Sequence, residues 1–305
     1  MSLATMDNAA GLTTRDSLWL FVWLTITLPS AMETLPLDIL LYIIDLLAGG
    51  DDEDIKSLQI LSQTCKYMVP PCRKHLFSSL NLHSEMNSER FSDLLSKNLD
   101  IARYVTSLSY RVSNPISDHE LNILDMLKEH APLRLIQLSA PELEALRPLG
   151  WNGFPESMRS SLIFLIQLPT VTHLDISDFE GFPATVFSGC SNLIDLKLIK
   201  LQISPFEVNQ VISRSKIPTP VSLNINTKAY SLAALMNSAS LQAGDSIIDF
   251  SRLEKAKFYL GFRDCLVPIN GLIKMTTRLE YLRIGGGWIN VAFVTKFWRT
   301  VFLSV

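Results

Sequence analysis

The stretch of residues 171–198, VTHLDISDFEGFPATVFSGCSNLIDLKL, carries the same short apolar pattern at its start and at its end. In each copy three apolar residues are separated by two positions and then by one. The copies are Val171/Leu174/Ile176 and Leu193/Leu196/Leu198. The alternation at the end of each copy has the two-residue period of a β-strand that buries one face. The stretch therefore predicts two short strands joined by a connection.

Six further copies of the pattern lie on either side of this stretch. They are Phe77/Leu80/Leu82, Val105/Leu108/Tyr110, Leu133/Ile136/Leu138, Pro220/Leu223/Ile225, Leu253/Ala256/Phe258 and Leu279/Leu282/Ile284. The copies recur at intervals of about 22 to 38 residues, which is the range expected of a repeat architecture. The sequence therefore predicts a series of strands rather than one isolated pair.

Helical patterns separate some of these predicted strands. One runs from Ser117 to His130 and opens with a capping box formed by Ser117 and Glu120. A second runs over 204–213 and has Pro205 at its first helical position, where a missing N–H costs nothing. Strand, connection and helix thus alternate along the chain.

This alternation is similar to that of leucine-rich-repeat proteins. The resemblance implies a solenoid with parallel strands on one face and helices on the other. Those repeats usually place Asn or Cys three positions after the last leucine, where this chain has Pro141, Phe179, Leu201 and Gly287. The loss of that side chain predicts irregular turns and uneven curvature. An ordinary α/β domain with a parallel sheet is the alternative, although no phosphate-binding glycine loop accompanies the pattern.

The segment 33–82 ahead of the repeats reads ETLPLDILLYIIDLLAGGDDEDIKSLQILSQTCKYMVPPCRKHLFSSLNL. A first helix should begin near Thr34 and end before Gly49, and its positions are apolar on almost every side. One small module cannot cover such a helix, so a partner is the economical explanation. A second helix should follow the solvated acidic cluster of residues 51–54 and end at Pro70 and Pro71, and a short third turn comes after it.

This segment resembles the F-box family, and its end, PPCRKHLFSSLNL, is similar to F-box-type proteins of mushroom-forming fungi. The positions that match the family's first helix are Leu35, Pro36, Ile39, Leu40, Ile43 and Leu47. The pair Cys65-Lys66 matches the end of the family's second helix, whereas Met68 stands where a tryptophan often follows and the acidic loop is longer than usual. A plain helical hairpin that caps a solenoid is the alternative.

The resemblance implies a function without chemistry of its own. Such proteins bind a SKP-type adaptor that joins a cullin scaffold, and they present a protein substrate to a ubiquitin ligase of the SCF type. The same six residues would then contact the adaptor. A repeat scaffold with no link to ubiquitin, or a secreted or membrane-associated recognition protein, are the alternatives.

These patterns divide the chain into an α/β protein of four parts. Residues 1–31 form an apolar extension, 32–78 the F-box-like helical module, 79–288 the repeat solenoid, and 289–305 a capping helix or a truncated repeat.

The extension bears on where the protein resides. Its apolar run, residues 18–28, is too short to span a bilayer. Ser30 and Ala31 could form a signal-peptide cleavage site, but Asp7 and Asp16 precede the run where a signal peptide carries positive charge, and Met32 offers a second start. We expect a cytoplasmic or nuclear protein that does not associate with a membrane, with secretion as the alternative.

The sequence carries no motif for catalysis, cofactor binding or metal binding. GxxxxGK[ST], GxGxxG, HExxH and GxSxG do not occur, and the five histidines and four cysteines lack ligand spacing. A net charge of -3 without a block of basic residues argues against a nucleic-acid partner. We therefore expect a protein that is not an enzyme and that binds no cofactor, metal or nucleic acid. We expect its partners to be proteins.

Overall fold

The computed structural model describes residues 36–48, 52–64, 66–83, 85–112, 116–140, 150–204, 217–227, 231, 233–235, 247–259 and 266–285. Contacts divide the chain into two compact units, residues 1–78 and residues 79–305. We refer to them as the helical unit and the sheet unit, and each is described by itself.

The helical unit contains three α-helices in its described part: α1 (Leu37–Ala48), α2 (Asp52–Thr64) and α3 (Val69–Leu76), with a 3-10 turn at Lys66–Met68. The carbonyl of Pro36 accepts hydrogen bonds from the amides of Ile39 and Leu40 and so begins α1. The expectation that Pro70 and Pro71 end the second helix was wrong. Both prolines lie in the first turn of α3, where their missing N–H groups have no intrahelical partner to lose.

One side of each of the three helices faces the interior of the helical unit. Leu40, Ile44 and Leu47 follow the spacing of one face of α1, and all three are buried. They pack with Leu58, Leu61, Met68 and Cys72 from the remainder of the unit. A single apolar cluster therefore holds the three helices together.

The sheet unit alternates strands and helices along the chain. Its strands are β1 (Ser79–Leu82), β2 (Ser107–Arg111), β3 (Leu135–Ser139), β4 (His173–Ser177), β5 (Phe182–Pro183), β6 (Asp195–Ile199), β7 (Ile203–Ser204), β8 (Ser222–Asn226), β9 (Lys255–Tyr259) and β10 (Tyr281–Gly285). Its helices are α4 (Glu85–Lys97), α5 (Asp118–His130), α6 (Glu156–Ile166) and α7 (Leu266–Met275), with 3-10 turns at Leu99–Tyr104, Trp151–Gly153 and Ala184–Gly189. The prediction of an α/β fold with parallel strands is confirmed.

Eight of these strands form one parallel sheet in the order β1-β2-β3-β4-β6-β8-β9-β10. Each of them contains the end of one predicted repeat, so all eight motifs mark strands. The pairing keeps the motifs in register: Leu174 lies beside Ile136 on one side and Leu196 on the other. Two rows of apolar side chains therefore cross the whole sheet, and these rows are buried over most of their length.

Helices α4, α5 and α6 pack side by side, and α4 also contacts β1. Helix α5 begins with the predicted capping box: the Ser117 hydroxyl accepts a hydrogen bond from the Glu120 amide, and the Glu120 carboxylate accepts one from the Ser117 amide. Burial and the nearby Glu120 carboxylate raise the pKa of Tyr110, which lies in one of the buried rows, above its usual range.

The turns after β4 and β6 are alike, whereas the sequence predicts irregular turns; the other two turn positions, Pro141 and Gly287, lie outside the described residues. Asp178 and Lys200 occupy equivalent places, and both have a positive φ, 64° and 47°. Phe179 and Leu201 follow them as buried residues, in the positions where repeat proteins usually carry Asn or Cys. Backbone groups bond one turn to the next, since the Gln202 amide donates to the Phe179 carbonyl. Side chains contribute as well: the Thr227 hydroxyl donates to the Leu201 carbonyl, and the Ile203 amide donates to the Ser231 hydroxyl.

An aromatic cluster fills the space behind these turns. Trp151 packs edge-on against Phe154, Phe179 and Phe182, with ring centroids 6.0, 6.0 and 4.8 Å away, and all four rings are buried. Such edge-to-face pairs add to the free energy gained by burial.

Several predicted features lie outside the described residues. They are the extension 1–31, most of the helix predicted over 204–213, and the capping helix or truncated repeat at 289–305, while Ser204 itself ends β7. Among the helices that the structure describes, none is both long enough and apolar enough to cross a bilayer.

We expect the buried rows to dominate the stability of the sheet unit. Replacing Leu196 by Ala should lower the free energy of unfolding by about 2–5 kcal/mol, because it leaves a cavity in a central strand. Replacing its neighbour Lys197 by Ala should cost about 0–1 kcal/mol, because that side chain forms only a surface ion pair. Urea unfolding followed by circular dichroism measures both free energies of unfolding. Equal losses of stability would contradict the assignment of Leu196 to the buried face and of Lys197 to the outward face.

Candidate functional site

The outer side of α1 is apolar although it does not face the interior of the helical unit. Ile39, Tyr42 and Leu46 recur at helical spacing, and their side chains are 43%, 64% and 43% exposed. We call these three residues the outer stripe. Helix α1 is therefore apolar on its buried face and on a second face that the described residues of its unit do not bury.

Exposed apolar side chains are concentrated in the helical unit. Eight of the fourteen large exposed apolar residues in the described chain belong to it, although it supplies a minor part of the described residues. Besides the outer stripe they are Leu37, Leu41, Ile55, Ile60 and Tyr67. Isolated exposed apolar residues are common on any protein, whereas contiguous exposed apolar patches are typical of interaction surfaces.

The six residues predicted to contact an adaptor are not all on this surface. Leu35 lies outside the described residues, Pro36 and Ile39 are exposed, and Ile43 is half-buried. Leu40 and Leu47, 3% and 1% exposed, belong to the interior cluster. Sequence reasoning missed Tyr42 and Leu46, which a helical projection of α1 from the core spacing of Leu40, Ile44 and Leu47 would have placed on the opposite side.

Two further details fix α1 in its unit. The Asp45 carboxylate lies 3.0 Å from Nε2 of His75 in α3, which links the polar edge of α1 to a neighbouring helix. Met68, at the position where F-box proteins often carry tryptophan, is fully buried in the interior cluster. Met68 therefore belongs to the inside of the unit and not to the outer stripe.

The second candidate surface is the outward face of the eight-stranded sheet. Residues between the buried rows point outward, and the register sets them in three rows across the sheet. The first row is Ser79, Ser107, Leu135, His173, Asp195, Ser222, Lys255 and Tyr281. The second is Asn81, Ser109, Gln137, Asp175, Lys197, Asn224, Lys257 and Arg283. The third is Arg111, Ser139, Ser177, Ile199, Asn226, Tyr259 and Gly285, although the β8–β9 pairing stops one residue short of it.

The middle of this face carries ion pairs between adjacent strands. Nε2 of His173 lies 2.8 Å from the Asp195 carboxylate, and Nζ of Lys197 lies 2.5 Å from the Asp175 carboxylate. Each pair joins β4 to β6 within one row. Both signs of charge are therefore present and locally neutralised in the centre of the sheet.

His173 is the one place on this face where three groups with catalytic potential meet. The Thr172 hydroxyl lies 2.8 Å from Nδ1 of His173, and Asp195 contacts the other ring nitrogen. His173 and Asp195 are about half exposed, so water screens their interaction, and the Thr172 hydroxyl also donates to the Arg134 carbonyl. This geometry favours a surface hydrogen-bond network over an activated nucleophile.

The described cysteines and potential metal ligands do not form a reactive centre. Cys190 is buried, its thiol donates to the Ile166 and Val186 carbonyls, and burial raises the pKa of this thiol to about 12. A thiol of this kind is a poor nucleophile at neutral pH. Within the described residues no three His, Cys, Asp or Glu side chains come together in a way that could hold a metal ion.

We expect Leu40 and Ile39 to differ sharply in their contribution to stability. Replacing Leu40 by Ala should destabilise the helical unit by about 2–5 kcal/mol. Replacing Ile39 by Ala should change the stability by about 0.5 kcal/mol or less, because the side chain is exposed. Hydrogen exchange of the α1 amides reports on this unit alone. A large loss of stability in the Ile39→Ala variant would mean that other residues of the chain already cover the outer stripe.

We also expect Cys190 to resist alkylation in the folded protein. With its pKa raised to about 12, the thiolate is scarce at pH 8, and the side chain is closed off from the reagent. Iodoacetamide labelling followed by peptide mass spectrometry should show Cys190 modified only after unfolding in urea. Rapid labelling of the native protein would overturn this description of the site.

Comparison with protein-family models gives no match for this chain, and comparison with curated proteins gives none either.

Proposed function

We propose that the protein is the substrate-recognition subunit of an SCF-type ubiquitin ligase. In this proposal the helical unit is an F-box that binds a SKP-type adaptor, which in turn joins a cullin scaffold. The sheet unit binds the protein substrate. The protein acts in the cytoplasm or nucleus and catalyses no reaction itself.

The observation that carries this proposal is the outer stripe. A helix whose buried face already has its own core gains nothing inside the unit from a second apolar face. Ile39, Tyr42 and Leu46 instead offer a partner a row of aliphatic and aromatic side chains. Full burial of one such side chain is worth about 1.5–3 kcal/mol, and a partner adds the share of it that corresponds to the exposed part of each. An amphipathic helix packed into an apolar groove is a common mode of protein recognition.

The sequence resemblance adds a second line of support. The residues that match the F-box pattern divide between two roles: Leu40 and Leu47 build the interior of the unit, while Pro36 and Ile39 lie at its surface. The proposed adaptor contact therefore consists of Pro36, Ile39, Tyr42 and Leu46, with Ile43 at its margin.

For the sheet unit we infer an irregular leucine-rich-repeat solenoid. Its support is the order of the strands, since each strand pairs with the preceding repeat's strand and all pairs are parallel and in register. Such a sheet presents rows of outward side chains that an extended partner can contact. Holding that partner near the charged ubiquitin-carrying enzyme raises its effective concentration there.

The test is a pull-down of the full chain with a purified SKP-type adaptor. Changing Ile39 to Asp should weaken binding by tenfold or more, because the interface loses the burial of the exposed part of Ile39 and has to accommodate an unpaired charge. The matched control is Ile194→Asp, since Ile194 is 43% exposed like Ile39 but lies in the sheet unit.

Binding by the parent and by Ile194→Asp, with loss in Ile39→Asp, supports the ligase function. A parent chain that is folded and does not bind the adaptor rejects it, and a repeat scaffold without a link to ubiquitin then takes its place. An equal loss of adaptor binding in both variants would mean that the outer stripe is not the surface that contacts the adaptor.

A further inference from the structure

The outward face of the sheet changes in chemistry from one end to the other. Across β1, β2 and β3 its rows are mostly serine, asparagine and glutamine, with Arg111 as their one charge. The centre carries the paired charges of β4 and β6. On β9 and β10 the outward positions are Lys255, Lys257, Tyr259, Tyr281 and Arg283, which we call the basic patch.

The cations of the basic patch lie next to one another. The register places Lys257 directly beside Arg283, and Lys255 beside Tyr281. Neighbouring strands are about 4.8 Å apart, and like charges directly opposite one another destabilise a sheet. This end of the sheet therefore carries a repulsion that a bound anion would relieve.

The same row shows how a cation on this face is neutralised elsewhere. Lys197, two strands away in the row of Lys257, has the Asp175 carboxylate at 2.5 Å. Among the described residues no carboxylate forms an ion pair with Lys255, Lys257 or Arg283. The basic patch thus differs from the centre of the face in charge balance as well as in composition.

Two tyrosines shape the patch. Tyr259 and Tyr281 are 40% and 45% exposed. The Tyr259 ring lies over Gly285 of the next strand, because a Cβ added there would come 3.2 Å from Cδ1 of that ring. Glycine at this position therefore leaves room for the edge of the Tyr259 ring beside the next strand. The exposed tyrosine hydroxyl can donate a hydrogen bond to a carboxylate.

Asn224 borders the patch on the neighbouring strand. It lies beside Lys257 in the same row. Its side-chain oxygen is shielded from solvent and has no hydrogen-bond partner among the described residues. Because a shielded atom lies out of reach of a ligand on the outward face, Asn224 marks the margin of the patch and is not one of its contacts.

We propose that the basic patch binds an extended acidic peptide with carboxylates at alternate positions. Lys255 and Lys257 are two residues apart on one strand, about 6.6 Å, which matches the spacing of alternate side chains in an extended chain. The assignment of such a peptide as part of the substrate rests on the proposed function. The binding of the peptide to the patch does not involve the adaptor. A nucleic acid fits less well, because the patch has only three cations and because the row that contains Lys257 and Arg283 also contains the Asp175 carboxylate.

The test is fluorescence anisotropy of the full chain with a labelled peptide in which glutamate alternates with serine. No adaptor is present, so failure of this proposal is separate from failure of the ligase function. The same peptide with glutamine in place of glutamate should bind at least tenfold more weakly, and added salt should weaken binding of the glutamate peptide.

Variants locate the interaction. Lys257→Glu and Arg283→Glu should each weaken binding at least tenfold, since a cation becomes a repelling anion. Arg111→Glu, at the opposite end of the same face, is the matched control and should change affinity less than about twofold. If a charge reversal impairs folding as judged by circular dichroism, Lys257→Gln replaces it, and a threefold or larger loss is then expected.

Three results would each overturn the proposal. They are no binding of the glutamate peptide by the folded parent, equal binding of the glutamine peptide, and an equal effect of Arg111→Glu. Tighter binding of a single-stranded oligonucleotide than of the glutamate peptide would assign the patch to nucleic acid instead.

Discussion

Two rows of buried side chains cross the eight-stranded sheet at fixed register, and the remainder of the sheet unit depends on them. One row contains Leu174 and Leu196, and the other contains Ile176 and Leu198. A slip of one residue in any strand would expose its apolar side chains and bury its polar ones. The burial of these rows therefore also determines which side chains reach the outward face and which of them become neighbours.

The outward ion pairs and the basic patch follow from that register. His173 meets Asp195, and Lys197 meets Asp175, because the apolar rows align β4 with β6. The same alignment brings Lys257 beside Arg283. The arrangement of side chains on this face thus follows from core packing: the core sets the positions, and the identity of each outward residue is free to vary.

The strands were predictable from sequence because their signal is local. Each motif places two apolar residues two positions apart, and the structure puts every one of the eight motifs in a strand of the same sheet. The turns were less predictable. Lys200 has a positive φ of 47°, which its residue type does not suggest. The hydrogen bonds of this turn come from neighbouring backbone and from the distant hydroxyls of Thr227 and Ser231, which no local pattern indicates.

The candidate surface on α1 shows the opposite difficulty. Almost every position of this helix is apolar, so the contrast between polar and apolar residues that normally identifies the buried face is missing. Leu40 and Ile39 cannot be told apart by residue type. Packing against α2 and α3 separates them, and that packing is a tertiary property. The resemblance located the helix, whereas the geometry distinguished its two apolar faces.

The order of strands in the large sheet has a consequence for how the protein is made. Every strand after β1 pairs with a strand that precedes it in the chain, and none has to wait for a later one. A chain emerging from the ribosome can therefore add each strand to a sheet edge that already exists, with only short loops to close. Synthesis and folding of this unit can proceed in the same direction, and the growing edge is covered as soon as the next repeat has left the exit tunnel.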